Sequence, residues 1–264
     1  MATVGTFAAG LQQAFRMDSM SKPLHAGRAA EAGVLAAQAA RAGVTGSLDI
    51  LEGEAGMGVA MGNGPNWQPM LGDLGRVFNI QHMTFKNHAC CGHTFAAIDG
   101  ALALQQRMGV RAEDLAAVHI ETYQPALDVA GNPNPATAAE ARFSLPFVVA
   151  SALVHGSVRL AAFTSERLAD TQVRGLMQRL SLNADAQIDA GFPGQRAARV
   201  RLVTHDGRDD VFFQPNRKGD PEDPLTDADL DGKFIELAAP VIGDAAARAM
   251  LQQLWQLELA AQLP

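Results

Sequence analysis

ARVRLVTHDGRDDVFFQ (residues 198–214) reads as a β-hairpin. Val200 and Leu202 alternate with Arg199 and Arg201, the twofold period of a strand with one buried face. Asp206-Gly207 is a turn pair, and Val211 and Phe213 return on the second strand. Upstream, AAVHIETY (116–123) shows the same period, with Val118, Ile120 and Thr122 set against His119, Glu121 and Tyr123. Around these strands the period changes to that of helices. Phe95, Ile98, Ala101, Leu102 and Met108 form one helical stripe, and Val173, Leu176, Met177 and Leu180 form another, from Asp170 to Leu180. Ser144 opens a third helix, with Pro146 in its first turn and Phe143 and Val148 at staple positions. Pro125 to Thr137 reads as a loop.

Farther out, both ends of the chain are helical. Gly27 to Ala42 places Ala30, Val34, Ala37 and Arg41 at helical spacing, and Gly43 and Gly46 close that helix. The glycine-rich stretch from Gly53 to Gly75 favours loop and short helix. Gly56, Gly58 and Gly62 hint at a phosphate cradle, but no strand precedes them and no P-loop lysine follows. After Leu230 the helical pattern resumes through Phe234, Leu237 and Val241, then Met250, Leu251, Leu254 and Leu257. The expected fold class is therefore α+β and mostly helical: a multi-helical domain interrupted by a smaller α+β domain.

Composition bounds the function. The 264 residues carry 21 basic and 28 acidic groups, a formal charge of −7, which argues against general nucleic-acid binding. An acidic protein can still hold a local basic pocket for an anionic metabolite. The only cysteines, Cys90 and Cys91, are adjacent and rarely meet disulfide geometry, so a reducing, cytoplasmic location is expected. No apolar run approaches the ~18 residues of a membrane span, and no membrane partner is expected.

Two short segments concentrate groups that a core does not need. Ser21-Lys22-Pro23-Leu24-His25-Ala26-Gly27 reads as a loop leading into a helix, with Lys22, His25 and Arg28 supplying positive charge; a solvated capping loop would look the same. Lys86-Asn87-His88-Ala89-Cys90-Cys91-Gly92-His93 sets a lysine, two imidazoles and two thiols before another helix. Three chemistries fit these residues. Cys90, Cys91 and His93 lie too close together for a tetrahedral metal set without further ligands elsewhere. A cysteine nucleophile could use His93 as base, although buried free cysteines are commonly inert. Gripping and deprotonating a polycarboxylate needs cations and an acid–base group, which both segments contain.

In these segments the chain resembles the MmgE/PrpD family. The likeness runs through SMSKPLHAGRAAEAGVLAAQAARAGVTG (19–46), ILEGEAGMG (50–58), FKNHACCGHTFAAIDGAL (85–102), ARFSLPFVVASALVHG (141–156) and KGDPEDPLTDADLDGKF (218–234), in family order from about Gly5 to Leu263. The resemblance implies a large helical domain with a smaller α+β lid-like domain, divided here as residues 1–84, 85–212 and 213–264, the last returning to the helical domain. It implies cofactor-independent, metal-free lyase or isomerase chemistry on small di- and tricarboxylates such as 2-methylcitrate: dehydration, decarboxylation or epimerisation, with a place in propionate metabolism. Lys22 and Lys86 match active-site lysines, and His93 matches a position lining the same cleft. Ser21 and His25 fall where substrate contacts are expected, as does Cys91, at a position where some relatives have histidine. Family members also carry a further N-terminal helical region to which nothing here corresponds. The expectation that follows is a homodimer, or association with an N-terminal half; the alternative is a non-catalytic remnant acting as a scaffold.

Overall fold

The computed structural model describes residues 1–11, 21–64 and 66–260. They form two compact units, Met1–Ile80 and Gln81–Pro264. The final helices fall in the second unit. Among the described residues no helix is long and apolar enough to cross a membrane.

The first unit is built on one long helix, α1 (Ser21–Arg41), followed by short helices at Met57–Ala60 and Gln68–Gly72. Ser21 to Gly27 is thus helical, not a loop as its composition suggests. Residues 12–20, including Ser19 at the start of the family-like stretch, lie outside the described residues. Gly43 terminates α1 as expected, but the buried stripe is Ala32 and Ala36, while Val34 and Leu35 face outward. Small alanines allow close packing, whereas the larger side chains are exposed. Gly56 leads into the Met57–Ala60 helix from turns rather than from a strand, so the phosphate-cradle context is missing.

The second unit is a four-stranded sheet covered on one face by helices. Its strands are β1 (Leu115–Thr122), β2 (Leu180–Ala184), β3 (Ala198–Thr204) and β4 (Asp209–Gln214), in the order β2-β1-β3-β4. β1 and β2 are parallel, and the other pairs are antiparallel. Val118, Ile120, Val200 and Leu202 point into the core, where each fully buried side chain contributes about 1.5–3 kcal/mol. The opposite face is a ladder of polar pairs, with Arg199 against Glu121 and Asp185, and Arg201 against Asp209.

α2 (Phe95–Met108) packs across β3 and β4, and α3 (Leu145–His155) packs on α2 and on α4 (Thr171–Met177). Gly100 lets α2 approach closely, since a Cβ there would lie 3.3 Å from Val200 and from Gln214. Ser144 caps α3 by accepting the Phe147 N–H at 3.3 Å, a contact worth about 1 kcal/mol. α4 stops at Met177, and Leu180 opens β2 instead of ending the helix. In β4 it is Phe212, opposite Val200, that packs on the core; Val211 and Phe213 face outward. The turn length fixes this parity, and a one-residue shift exchanges the faces. Gln124–Ala130 is a helix within the expected loop. α5 (Asp227–Ile242) and α6 (Asp244–Leu254) close the chain, packed on each other.

Candidate functional site

The turn from Phe85 to Thr94 is held at both ends. The Phe85 N–H donates to the Gly219 carbonyl at 2.8 Å, and the Ala89 and Cys91 N–H groups donate to the Val158 and Arg142 carbonyls at 2.9 Å each. A single 3-10 turn, Gly92–Thr94, then feeds α2. The Arg217–Asp220 ion pair braces the outside: Arg217 Nε donates to Asp220 Oδ2 at 2.9 Å, and Thr84 donates to Asp220 Oδ1 at 2.6 Å. One bond farther on, the Lys218 N–H donates to Asp99 Oδ2 at 2.9 Å.

Within this turn the side chains divide by burial. His88 is buried, its Nε2 2.8 Å from Asp99 Oδ1 and its ring edge-on to Phe95. Cys90 is buried too, with its sulfur 3.2 Å from the Thr94 hydroxyl, and burial pushes its thiol up to about 12. A thiol held protonated to that extent is no nucleophile near neutrality. Cys91 is half-buried. Among the described residues no three His, Cys, Asp or Glu side chains gather as a metal cluster.

Lys86 is the turn's exposed cation, and His93 is half-buried. Lys86 is exposed, with its ammonium 3.4 Å from the Cys90 carbonyl. Its own carbonyl accepts a 2.7 Å hydrogen bond from the Lys233 ammonium of α5. Next to it, Arg159 donates to Asn87 Oδ1 at 3.0 Å. Burial, then the cations of Arg159 and Lys86, pull Lys233 below the usual lysine range. His93 Nδ1 lies 2.8 Å from the Tyr123 hydroxyl, whose ring stacks on Phe192 with centroids 4.7 Å apart. Burial drives the Tyr123 phenol well above its ordinary range, against the nearby positive charges of Arg196 and Arg217.

In the first unit, Ser21, Lys22 and His25 share one face of α1, three and four residues apart. Ser21 and Lys22 are exposed and His25 is half-buried. A Cβ on Gly10 would come 3.4 Å from His25 Nδ1, so the imidazole lies against the N-terminal segment. The structure thus brings Lys86, Cys91 and His93 onto one turn, and Ser21, Lys22 and His25 onto one helix face. A cavity of about 330 Å³ lies at the other end of α2 from the turn, lined by Gln105, Val110, Arg111 and Arg179.

Tyr123, Arg159 and Lys233 were not singled out by sequence reasoning. Tyr123 reads as a strand residue, Arg159 carries no motif, and Lys233 sits in an acidic helix start where it passes as a solvated charge.

Comparison with known proteins bears on these groups. The MmgE/PrpD C-terminal domain matches residues 88–257, and the MmgE/PrpD N-terminal domain matches residues 1–70. The chain belongs to the MmgE/PrpD family. Residues 1–70 are therefore N-terminal-domain chain, although the sequence reading found no counterpart to the family's further N-terminal helical region. The chain is 27% identical over 250 residues to a cis-aconitate decarboxylase of Mus musculus, covering 91% of this chain and 50% of that protein. It is 25% identical over 249 residues to a cis-aconitate decarboxylase of Homo sapiens, with the same 91% and 50% coverage. The chain spans about half the length of these curated relatives. A dehydratase- or decarboxylase-like lyase scaffold is the family frame in which the MmgE/PrpD chain is read.

Proposed function

We propose that this chain contributes the cationic part of a lyase site for a small polycarboxylate, with 2-methylcitrate-like hydroxy acids and cis-aconitate as the first substrates to test. The observation that carries the reading is the division within the 85–94 turn: His88 and Cys90 are locked inside, while Lys86 is exposed beside further cations and His93 is half-buried against Tyr123. Removing a proton α to a carboxylate leaves enolate charge, and ammonium groups fixed beforehand stabilise it without reorganising. Loss of a β-hydroxyl together with a proton then gives the alkene and water. Lys22 and Lys86 hold carboxylates, His93 moves the proton, and Ser21, His25 and Cys91 contact the substrate. No metal or organic cofactor enters this scheme, so chelation with EDTA leaves the rate unchanged.

Association is part of the proposal. Leu24, Val34, Leu35, Leu74 and Phe78 of the first unit expose apolar surface, which supports a homodimer or a complex with a chain carrying more of the N-terminal domain. Sedimentation showing only a monomer of high melting temperature speaks against it. A scaffold without catalysis remains the competing reading on the same surface. The deciding experiment incubates the purified chain, alone and with a candidate N-terminal half, with citrate, 2-methylcitrate and cis-aconitate. Product formed from any of the three supports the lyase; none formed in either arrangement leaves the scaffold.

A further inference from the structure

Three cations meet at the entry to the turn. Lys233, on α5, and Arg159, just beyond α3, are each fixed within one residue of Lys86: Lys233 by its 2.7 Å bond to the Lys86 carbonyl, Arg159 by its 3.0 Å bond to Asn87. Among the described residues the carboxylate facing them is Glu236, three residues along α5 from Lys233. It is already shared: its Oε1 accepts the Leu160 N–H at 3.4 Å, and its Oε2 stands 3.7 Å from Arg159 Nε, too long for a hydrogen bond. Positive charge is therefore in excess, three groups against one.

We propose that Lys86, Arg159 and Lys233 form a carboxylate subsite on the second unit, with Arg159 supplying the planar fork and the two lysines the flanking point charges. The proposal rests on the polycarboxylate reading above and extends it to residues that reading does not use. Pinning the Lys86 carbonyl alone would need one donor; it does not account for gathering three cations on one short segment. Mutual repulsion and burial already weaken the Lys233 ammonium, the strain that a bound anion relieves. A guanidinium beside two ammonium groups matches a substrate bearing more than one carboxylate.

The test uses the intact chain, whose four lysines are Lys22, Lys86, Lys218 and Lys233. Amine acylation at mildly alkaline pH, read by peptide mass spectrometry, is followed with tricarballylate, an unreactive tricarboxylate, or with inorganic phosphate at equal ionic strength. Tricarballylate is expected to slow acylation of Lys86 and Lys233 together, with Lys218, paired to Asp229, as the unchanged reference. Arg159→Gln is expected to raise the half-protecting concentration about tenfold, as for one lost charge-assisted contact. Acylation of Lys233 that ignores tricarballylate, or equal protection by phosphate, overturns the subsite. Turnover of a polycarboxylate with Lys233 unprotected keeps the lyase reading and removes the subsite; protection without turnover does the reverse.

Discussion

His93 Nδ1 and the Tyr123 hydroxyl are 2.8 Å apart, joining the turn before α2 to the end of β1. The tyrosine cannot drift, because its ring is buried and stacked on Phe192. The phenol stays protonated across the neutral range, so it can donate to a neutral imidazole or accept from a charged one. Tyr123 is thus a positioning residue for His93. Tyr123→Phe keeps the ring and removes one hydrogen bond worth about 0.5–1.5 kcal/mol. The expected result is a lower kcat with KM little changed and a displaced inflection in the pH–rate profile. A fall in melting temperature with an unaltered profile would make the contact purely structural.

The two cysteines should behave as opposites despite being neighbours. Iodoacetamide is expected to modify Cys91 in the native protein and to reach Cys90 only on unfolding, as peptide mapping would show. Alkali gives a second reading of the same burial. The native Cys90 thiol keeps its proton to about 12, whereas an unfolded thiol loses it near about 8.5. The native state therefore binds more protons between those values, so this contribution to stability is whole below the lower one and is lost as pH rises toward the upper. Cys90→Ala should flatten the decline of melting temperature with pH in that window; an unchanged slope would show that the thiol is not the group responsible.

His88 and Asp99 are expected to matter for folding rather than for binding. Asp99 accepts from His88 on one oxygen and from the Lys218 N–H on the other, tying the turn, α2 and the 217–220 segment together. His88→Ala strands a buried carboxylate oxygen and should cost about 1–3 kcal/mol in urea unfolding. Affinity for tricarballylate in the folded fraction should stay the same, and a loss of affinity without a loss of stability would move His88 into the site.

Gly219 makes a sharper structural prediction. Its φ of +105° is one that side-chain-bearing residues rarely adopt, and a Cβ would collide with the Phe85 carbonyl oxygen. Its own carbonyl accepts the Phe85 N–H, so the residue fastens the chain one step before Lys86. Gly219→Ala should lower the melting temperature and scatter the Lys86 position together. A variant with wild-type melting would show that the clasp is dispensable.

The sequence made the sheet's centre plain and its edges less so. Val118, Ile120, Val200 and Leu202 have uninterrupted twofold alternation, and all four are buried. β2 has no such pattern: its exposed end, Asn183 and Ala184, and its start at Leu180 continue a helical spacing. In β4 three successive apolar residues offered two parities, and the hairpin register chose Phe212. Side-chain chemistry was legible where it is local. A lysine, two histidines and two cysteines crowd into eight positions, but only the fold separates buried His88 and Cys90 from half-buried His93 and exposed Lys86. Arg159 and Lys233 could not be found from spacing, because Arg159 reaches Asn87 from 72 residues away and Lys233 reaches the Lys86 carbonyl from 147.

The most direct test of the central claim, that the exposed lysine of this turn stabilises charge on a polycarboxylate, is the turnover of Lys86→Ala. It is measured against wild type in whichever arrangement of chains converts cis-aconitate or 2-methylcitrate, with folding checked by circular dichroism. A fall of about 10²-fold or more is the expected result for losing a preorganised charge-stabilising group. A folded Lys86→Ala protein with wild-type turnover would contradict the account.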